Sequence, residues 1–375
     1  MTASAFKATV EQAQLIKVLG RVHRVVERRN TIPILGNVLI DVQQDSIKFR
    51  ATDLDIEVTD SVPAEVAAKG STTVSAHLFH DIVRKMPQGS QIVIEADPGR
   101  NVVIVKAGRS RFTLQTLPVE DFPALTIGDF THSFVIAGKD LHRLIDKAEF
   151  AISTEETRYY LSGIYLHSAG SHNKPTLRAV ATDGHRLAQV EMLIPQGATG
   201  MPGIIVPRKT VGEIARLFDA DSEISVNLST TKITFESGTV SLTSKLIDGT
   251  FPDYARVIPL NNDKTLRVER KALEIAADRV ATVSSERGRA VKVMLSAGKI
   301  VLNVTNPDSG SATEEMEAEF DAPDLDIGFN SSYLRDILGQ VDGDVVTVKL
   351  ADPGSPTLFS GADDGSLYVL MPMRV

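Results

Sequence analysis

The sequence predicts an α+β protein of three tandem repeats, each pairing two amphipathic helices with antiparallel strands. The first of three observations behind this is a repeated segment. Ala181-Thr-Asp-Gly-His-Arg-Leu-Ala188 has an echo at Ala51-Thr-Asp-Leu-Asp-Ile-Glu-Val58 and a fainter one at Thr305-Asn-Pro-Asp308, so Thr52, Thr182 and Thr305 stand 130 and 123 residues apart. A period near a third of the chain is far longer than a solenoid repeat, so each copy should be a domain. Second, each third reads in one order: helix, strands, helix, strands. Third, 375 residues with 42% hydrophobic and 23% charged content divide into three units of common domain size and ordinary globular composition. The expected domains are 1–127, 128–258 and 259–375, with junctions near 124–132 and 256–266.

Taken in order, the first repeat opens with a helix over 11–29, followed by strands 34–42, 47–51 and 56–62. A helix over 77–86 and strands 91–96, 102–106 and 111–117 complete it. In the second repeat the helices are 139–151 and 208–219. Leu141, Leu144, Ile145, Ala148 and Ile152 share one helical face. Its strands are 161–167, 176–181, 185–193, 224–228, 232–236 and 240–245. The third repeat has helices at 270–283 and 332–339, and strands between 290 and 304, at 314–320, 345–350, 357–359 and 367–371. Strands are read from β-branched alternation between turn signals such as Asp97-Pro-Gly99 and Asp352-Pro-Gly354.

The chain has no cysteine, which excludes disulfides, thiolate metal sites and thiol nucleophiles. No apolar run approaches a membrane span, and the first residues lack a basic-then-apolar leader, so a cytoplasmic protein without membrane partners is expected. No P-loop, HExxH, GxSxG or dinucleotide fingerprint is present, and nothing demands a cofactor.

The net charge of −8 argues weakly against a polyanionic partner, but the charge is unevenly distributed. On the first helix Leu15, Leu19, Val22 and Val26 make the apolar face. Lys17, Arg21, Arg24 and Arg28, at spacings of 4, 3 and 4, fall within about 60° of one another on the other face, and Arg29 follows. Arg84 with His77 and His80 does the same on the second helix, and Lys139, Arg143 and Lys147 on the third. The six helices carry 17 Lys and Arg against 11 Asp and Glu, leaving −14 for the rest of the chain. Helices lining one surface would attract a polyanion there while the acidic remainder repelled it. A charged outer face is also what any solvated helix shows. Few aromatics accompany the basic residues, and no recognition helix or zinc finger is present, so the expected contact is sequence-blind and made to a duplex backbone.

Asp53, Asp55 and Glu57 alternate on one strand face and could hold a divalent cation; the other reading is a solvated face. His185, beside Asp183, invites a catalytic or a structural reading. Met371 and Met373 fit either an adaptable pocket or an ordinary last strand.

Pro33-Ile-Leu-Gly-Asn37, Gly108-Arg-Ser-Arg-Phe112, Arg158-Tyr-Tyr-Leu161, Ala181-Thr-Asp-Gly-His-Arg-Leu187, Val206-Pro-Arg-Lys209, Phe251-Pro-Asp-Tyr254, Ile327-Gly-Phe-Asn330 and Met371-Pro-Met-Arg374 together resemble the bacterial DNA sliding clamp family, the beta subunit of DNA polymerase III. The resemblance spans all three repeats. It implies a non-catalytic processivity factor: a head-to-tail homodimer, a ring of six domains whose helices surround duplex DNA and which tethers the replicative polymerase.

It further implies DNA contacts from Lys17, Arg21, Arg24, Arg28, Arg29, His77, Arg84, Arg143, Lys147, Tyr159, Tyr160, Arg208 and Lys209. A partner-peptide cleft would be built from Leu161, Thr182, Gly184, His185, Arg186, Leu187, Pro252, Arg256, Val257, Asn330, Tyr333, Val369, Met371, Pro372, Met373 and Arg374. Its clients would be the polymerase III alpha subunit, the clamp loader, other polymerases and repair proteins, through short linear motifs. The dimer interface would join Phe112 and Leu114 to the helix near Val283. The chain departs from the family pattern at His77, where Arg is frequent, at Pro356, where a hydroxyl residue is frequent, and at Val375, where Leu is frequent. The competing expectations are a metal-dependent hydrolase using Asp53, Asp55 and Glu57, and a three-domain scaffold module.

Overall fold

A computed structural model describes residues 5–126, 128–171, 174–284, 289–362 and 365–375. Within them lie two α-helices per repeat: α1 (Gln12–Val22) and α2 (Ala76–Lys85), α3 (Gly138–Glu149) and α4 (Arg208–Leu217), α5 (Arg270–Ala281) and α6 (Ser331–Gln340). Each follows a strand directly and lays an apolar stripe on the sheet. On α1 the stripe is Leu15, Val18, Leu19 and Val22, all 5% exposed or less. On α6, the Asn330 side chain caps the first turn, its Oδ1 accepting from Ser332 N and Tyr333 N at 3.0 and 3.3 Å. Glu269 does the same for α5, accepting from Lys271 N and Ala272 N.

Helix α1 is 11 residues long and stops seven residues short of the end that the pattern predicts. After Val22 the chain tightens into a 3-10 turn, His23–Val25, and Val26 leaves in an extended conformation. The β-branched Val22, Val25 and Val26 are stiff at χ1 and weak helix formers, and the His23 ring takes the Leu19 carbonyl at 2.7 Å. Arg24 therefore sits in the 3-10 turn, and Arg28 and Arg29 lie beyond any helix.

The repeated Thr-Asp segment is a turn between strands, built twice with the same bonds. Thr52 Oγ1 donates to Ile56 O at 2.8 Å and accepts from Leu54 N at 3.1 Å, while Asp53 Oδ1 accepts from Asp55 N and Ile56 N. In the second repeat Thr182 Oγ1 donates to Arg186 O at 2.8 Å and accepts from Gly184 N at 3.1 Å, and Asp183 Oδ1 accepts from His185 N and Arg186 N. The bend needs a left-handed residue, supplied by Gly184 at φ 88° and by Leu54 at φ 82°. The third copy is one residue longer: Thr305 pairs with Ser311, where Thr52 pairs with Glu57 and Thr182 with Leu187.

The strand leaving this turn pairs with the last strand of the next repeat. Ile56–Pro63 pairs antiparallel with Val240–Lys245, Val58 opposite Leu242, in a 13-stranded sheet. Arg186–Leu193 pairs with Ser366–Leu370, Ala188 opposite Tyr368, in a nine-stranded sheet. A four-stranded sheet completes the third repeat. Because sheets run through the repeat junctions, the chain forms two compact units, and the middle repeat contributes to both. One holds residues 1–139, 195–198 and 212–246; the other holds 140–194, 199–211 and 247–375.

Candidate peptide cleft and nucleic-acid-facing residues

In the second unit, Leu161, Leu187 and Val369 are buried side by side with Val180, Ile205, Phe251 and Tyr254, and Leu358, Leu367 and Ile258 pack against them. These residues come from the 3-10 segment Glu156–Leu161, the strand after the Thr-Asp turn, the Phe-Pro-Asp segment and the last strand. Above this apolar floor, Met371 is 37% and Val257 47% exposed, and Pro252 and Arg256 also face solvent. Met371 N donates to His185 O at 2.9 Å, which fixes the methionine beside the turn.

The C-terminal residues bridge back. Met373 N donates to Gly328 O at 2.9 Å, and Pro372 and Met373 are half-buried while Arg374 is exposed. A Cβ on Gly328 would lie 2.4 Å from Met373 O and from a Val375 methyl, so only glycine admits the tail here.

Of the charged residues placed in the cleft, Arg186 is committed to the scaffold, while Arg256 and Arg374 are exposed. Arg186 donates to Asp183 at 3.1 Å and to Asp336, and its guanidinium lies 4.3 Å from the Tyr333 ring centre and 5.1 Å from that of Phe150. Its side chain is 11% exposed, so it is a strut between strand and α6. The exposed His185 ring stacks on Tyr333 at 6.0 Å, and Thr182 and Asn330 are engaged in the turn and the α6 cap described above. What remains exposed around this floor is an apolar fringe of Met371, Val257 and Pro252, with the His185–Tyr333 pair beside the turn. That lining suits a short extended peptide with apolar anchors.

Beside the floor, on the same face of the sheet, lies an arrangement that the sequence reading missed. His167, Arg178 and Glu191 stand opposite one another on three adjacent strands. Arg178 donates to Glu191 Oε2 at 2.8 and 3.0 Å and to Tyr254 Oη at 2.9 Å, and His167 Nε2 is 2.9 Å from the same hydroxyl. Tyr165 stacks on Phe251 at 4.8 Å and on His167 at 4.7 Å. Burial lowers the His167 pKa, with Arg178 adding to it and the bond to Ser168 O opposing. Polar residues in register on adjacent strands were the available signal.

The basic residues divide. Lys17, Arg24, Arg28, Arg29, Arg208 and Lys209 are exposed, as is Tyr159 at 55%, with Tyr160 half-buried beside it. Arg21 instead donates to the fully buried Asp60 at 3.0 Å. Arg84 pairs with Asp81 at 3.3 Å. Arg143 donates to Glu191 O and Ser366 Oγ. Lys147, which the spacing puts on a solvent face, is 8% exposed and bonds Gln340 O and Asp342, because α3 packs that face against the third repeat. His77 Nε2 donates to Val26 O at 2.8 Å. At the expected interface Phe112 is 39% exposed, Val283 is half-buried, and Leu114 is buried within its own repeat.

The carboxylate alternative fails on geometry. Asp53 is occupied by the turn, Asp55 pairs with Lys245 at 3.2 Å, and Glu57 accepts from Leu125 N with Arg50 3.9 Å away. Burial raises the Glu57 pKa, with Arg50 opposing. Among the described residues no group of three His, Cys, Asp or Glu could hold a metal ion, and no helix is long and apolar enough to cross a membrane.

Three tandem α+β repeats with sheets running through their junctions define a clamp-type protein. Models of the DNA polymerase III beta subunit match consecutively: the N-terminal domain at 6–126, the central domain at 135–253 and the C-terminal domain at 255–374. The chain is 47% identical to the beta sliding clamp of Caulobacter vibrioides over 371 residues, covering 98% of this chain and 100% of that one. It is 37% identical to the beta sliding clamp of Escherichia coli over 372 residues, with the same coverage. A sliding clamp from Bartonella birtlesii bound to griselimycin superposes with a TM-score of 0.96 at 50% identity, covering 99% of this chain and 100% of that one. The chain belongs to the DNA polymerase III beta subunit family. It is a non-catalytic DNA sliding clamp, a processivity factor of DNA replication.

Proposed function

We propose that the chain closes with a second copy into a ring around duplex DNA, and that the cleft beside Met371 holds the short linear motifs of its clients. The working domains are 1–127, 128–258 and 259–375. The clients are the polymerase III alpha subunit, the clamp loader, other polymerases and repair proteins in the cytoplasm.

One observation carries this reading. The strand after each Thr-Asp turn takes the last strand of the next repeat, and within one chain this rule leaves two strands over. Gly310–Glu317 is the outermost strand of the four-stranded sheet, and Ser110–Gln115 pairs on one side only among the described residues. Applying the rule a third time pairs Gly310–Glu317 of one copy with the free edge of Ser110–Gln115 of another. Two such contacts close a head-to-tail dimer and cover both of these edges. Phe112 lies on that edge, with Val283, just past α5, as its proposed counterpart across the interface.

Encirclement makes tight contact unnecessary. Lys17, Arg24, Arg28, Arg29, Tyr159, Arg208 and Lys209 meet phosphates weakly enough for sliding, with the buried or paired Arg21, Arg84, Arg143, Lys147 and His77 supporting from behind. In the cleft, Leu161, Leu187 and Val369 form the floor, while Met371, Met373 and Val257 adapt to different anchors. The test is retention on DNA. The protein is expected to stay on nicked circular duplex through a gel-filtration column and to be lost when the circle is linearised; equal retention on both would refute encirclement.

A further inference from the structure

His23, at the end of α1, and His77 and His80, on α2, form a cluster that neither the ring nor the peptide cleft requires. The His23 and His80 rings stack at 3.9 Å and 9°, and His77 stands edge-on to His23 at 5.4 Å. His23 Nδ1 is 2.7 Å from Leu19 O and His77 Nε2 is 2.8 Å from Val26 O. Carbonyl oxygens only accept, so both ring nitrogens must carry their protons. The cluster thereby anchors both sides of the bend between α1 and the segment 26–32, the segment that presents Arg28 and Arg29.

We propose that His23, His77 and His80 form a proton-sensitive clasp that positions the Arg24, Arg28 and Arg29 segment on the DNA and lets it go on acidification. This deepens the encirclement reading and rests on it for the role of those arginines. Two stacked imidazoles can share a neutral face, but they cannot both be charged at 3.9 Å without strong repulsion.

The surroundings favour the neutral form. His23 is lowered to about 4, by burial first, with His80, His77 and Arg24 adding to it against the bond to Leu19 O. His80 is lowered by burial, with Arg84 and His77 adding to it and Asp81 opposing. Strands Ser46–Thr52 and Ile56–Pro63 pack near the same turn; of their charged groups, Arg50 lies 3.9 Å from Glu57 and Asp60 is taken by Arg21. A histidine held below its ordinary value releases its proton on folding, so the clasp is fully formed above about pH 6.5 and weakens as the pH falls toward 4.

The test is amide hydrogen exchange of the intact dimer, corrected for intrinsic rates, at about pH 7.5 and pH 5.0, with histidine ring NMR titration alongside. Residues 23–30 of the native protein are expected to lose protection about tenfold or more at the lower pH. His80→Phe, which keeps a stacked ring but cannot titrate, is expected to lose less protection than the native chain, the remaining loss coming from His23. His23 titrating near 6.5, or equal protection at the two pH values in the native chain, would overturn the proposal, even if His80→Phe fails to fold. These readings involve no DNA, so failed retention on circles at every pH with the exchange switch intact would refute encirclement and leave the clasp standing.

Discussion

Gly328→Ala isolates the contribution of the C-terminal tail to the proposed cleft. Gly328 has no left-handed φ, so alanine strains nothing by itself. The added Cβ would sit 2.4 Å from Met373 O and from a Val375 methyl, where real contacts do not occur. The tail is held by the Met373–Gly328 bond, about 1 kcal/mol, and by half-burial of Pro372 and Met373, about 1 kcal/mol more. A backbone overlap of this size costs about 1–3 kcal/mol, comparable to the whole docking energy of about 2 kcal/mol. The tail should therefore spend much of its time undocked, while the sheets keep their stability. Methyl-labelled methionine spectra would show Met373 shifting toward a free-chain position. Fluorescence polarisation with an apolar-anchored peptide should show affinity falling about tenfold or more, as 1.4 kcal/mol requires. Deleting residues 371–375 should abolish binding and leave the dimer intact. A Met373 signal that moves while peptide affinity stays unchanged would refute the tail's part in the cleft.

Three further outcomes follow from the geometry. Lys245 N donates to Asp55 O at 2.8 Å, so Leu242 opposite Val58 is a non-hydrogen-bonded pair, and equivalent positions place Phe112 opposite Ala312 and Ser110 opposite Glu314 in the dimer. In this cysteine-free chain, Ser110→Cys with Glu314→Cys should oxidise to a covalent dimer; a monomer-only product on a denaturing gel counts against the register. Gly184→Ala should lower stability by about 1–2 kcal/mol in urea melts, because φ 88° is left-handed and the new Cβ would lie 2.6 Å from the Arg158 guanidinium; an unchanged midpoint sinks the turn assignment. Glu57 is raised by burial, so its contribution to stability is present below its unfolded value and is lost as the pH rises through the folded one. Glu57→Gln should flatten that decline and melt at or above the native temperature near pH 7.5; a steeper decline would contradict the assignment.

The repeat architecture was legible because each copy carries the same turn chemistry. Thr52 with Asp53 and Thr182 with Asp183 make identical bonds, and a turn that strict leaves its letters in the sequence. Helix existence was legible from the spacing of residues such as Leu15 and Leu19, whereas the end of α1 was not, since Val25 and Val26 continue the apolar pattern after the helix has stopped. Charge was the least legible. Periodicity tells which face of a helix a residue occupies, not whether an acid from another strand waits there. Asp60 lies on a strand of its own repeat and claims Arg21; Asp342 belongs to another repeat and claims Lys147. The metal reading of Asp53, Asp55 and Glu57 failed because Asp53 and Asp55 lie in the turn before the strand Ile56–Pro63, and because Lys245 and Leu125, which engage Asp55 and Glu57, lie elsewhere in the chain.

The same pairing occurs at both junctions within the chain, yet the proposed peptide cleft lies at one. Met371 N donates to His185 O as Lys245 N donates to Asp55 O, so Lys245 and Asp55 are the counterparts of Met371 and His185. At the first junction these two side chains close on each other at 3.2 Å, and Glu57 occupies the place of Leu187. Apolar anchors find a charged lid there instead of a methionine rim, and a peptide would have to break the pair to enter. His185→Asp with Met371→Lys transplants that lid to the second junction without altering the backbone ladder. The double variant should keep its melting temperature and its dimer mass while losing peptide affinity by about tenfold or more, through closure of the cleft by a solvent-screened ion pair. Because the floor of Leu161, Leu187 and Val369 is untouched, the loss would come from the rim alone. Native affinity in the double variant would mean that the floor suffices and that the difference between the junctions lies elsewhere.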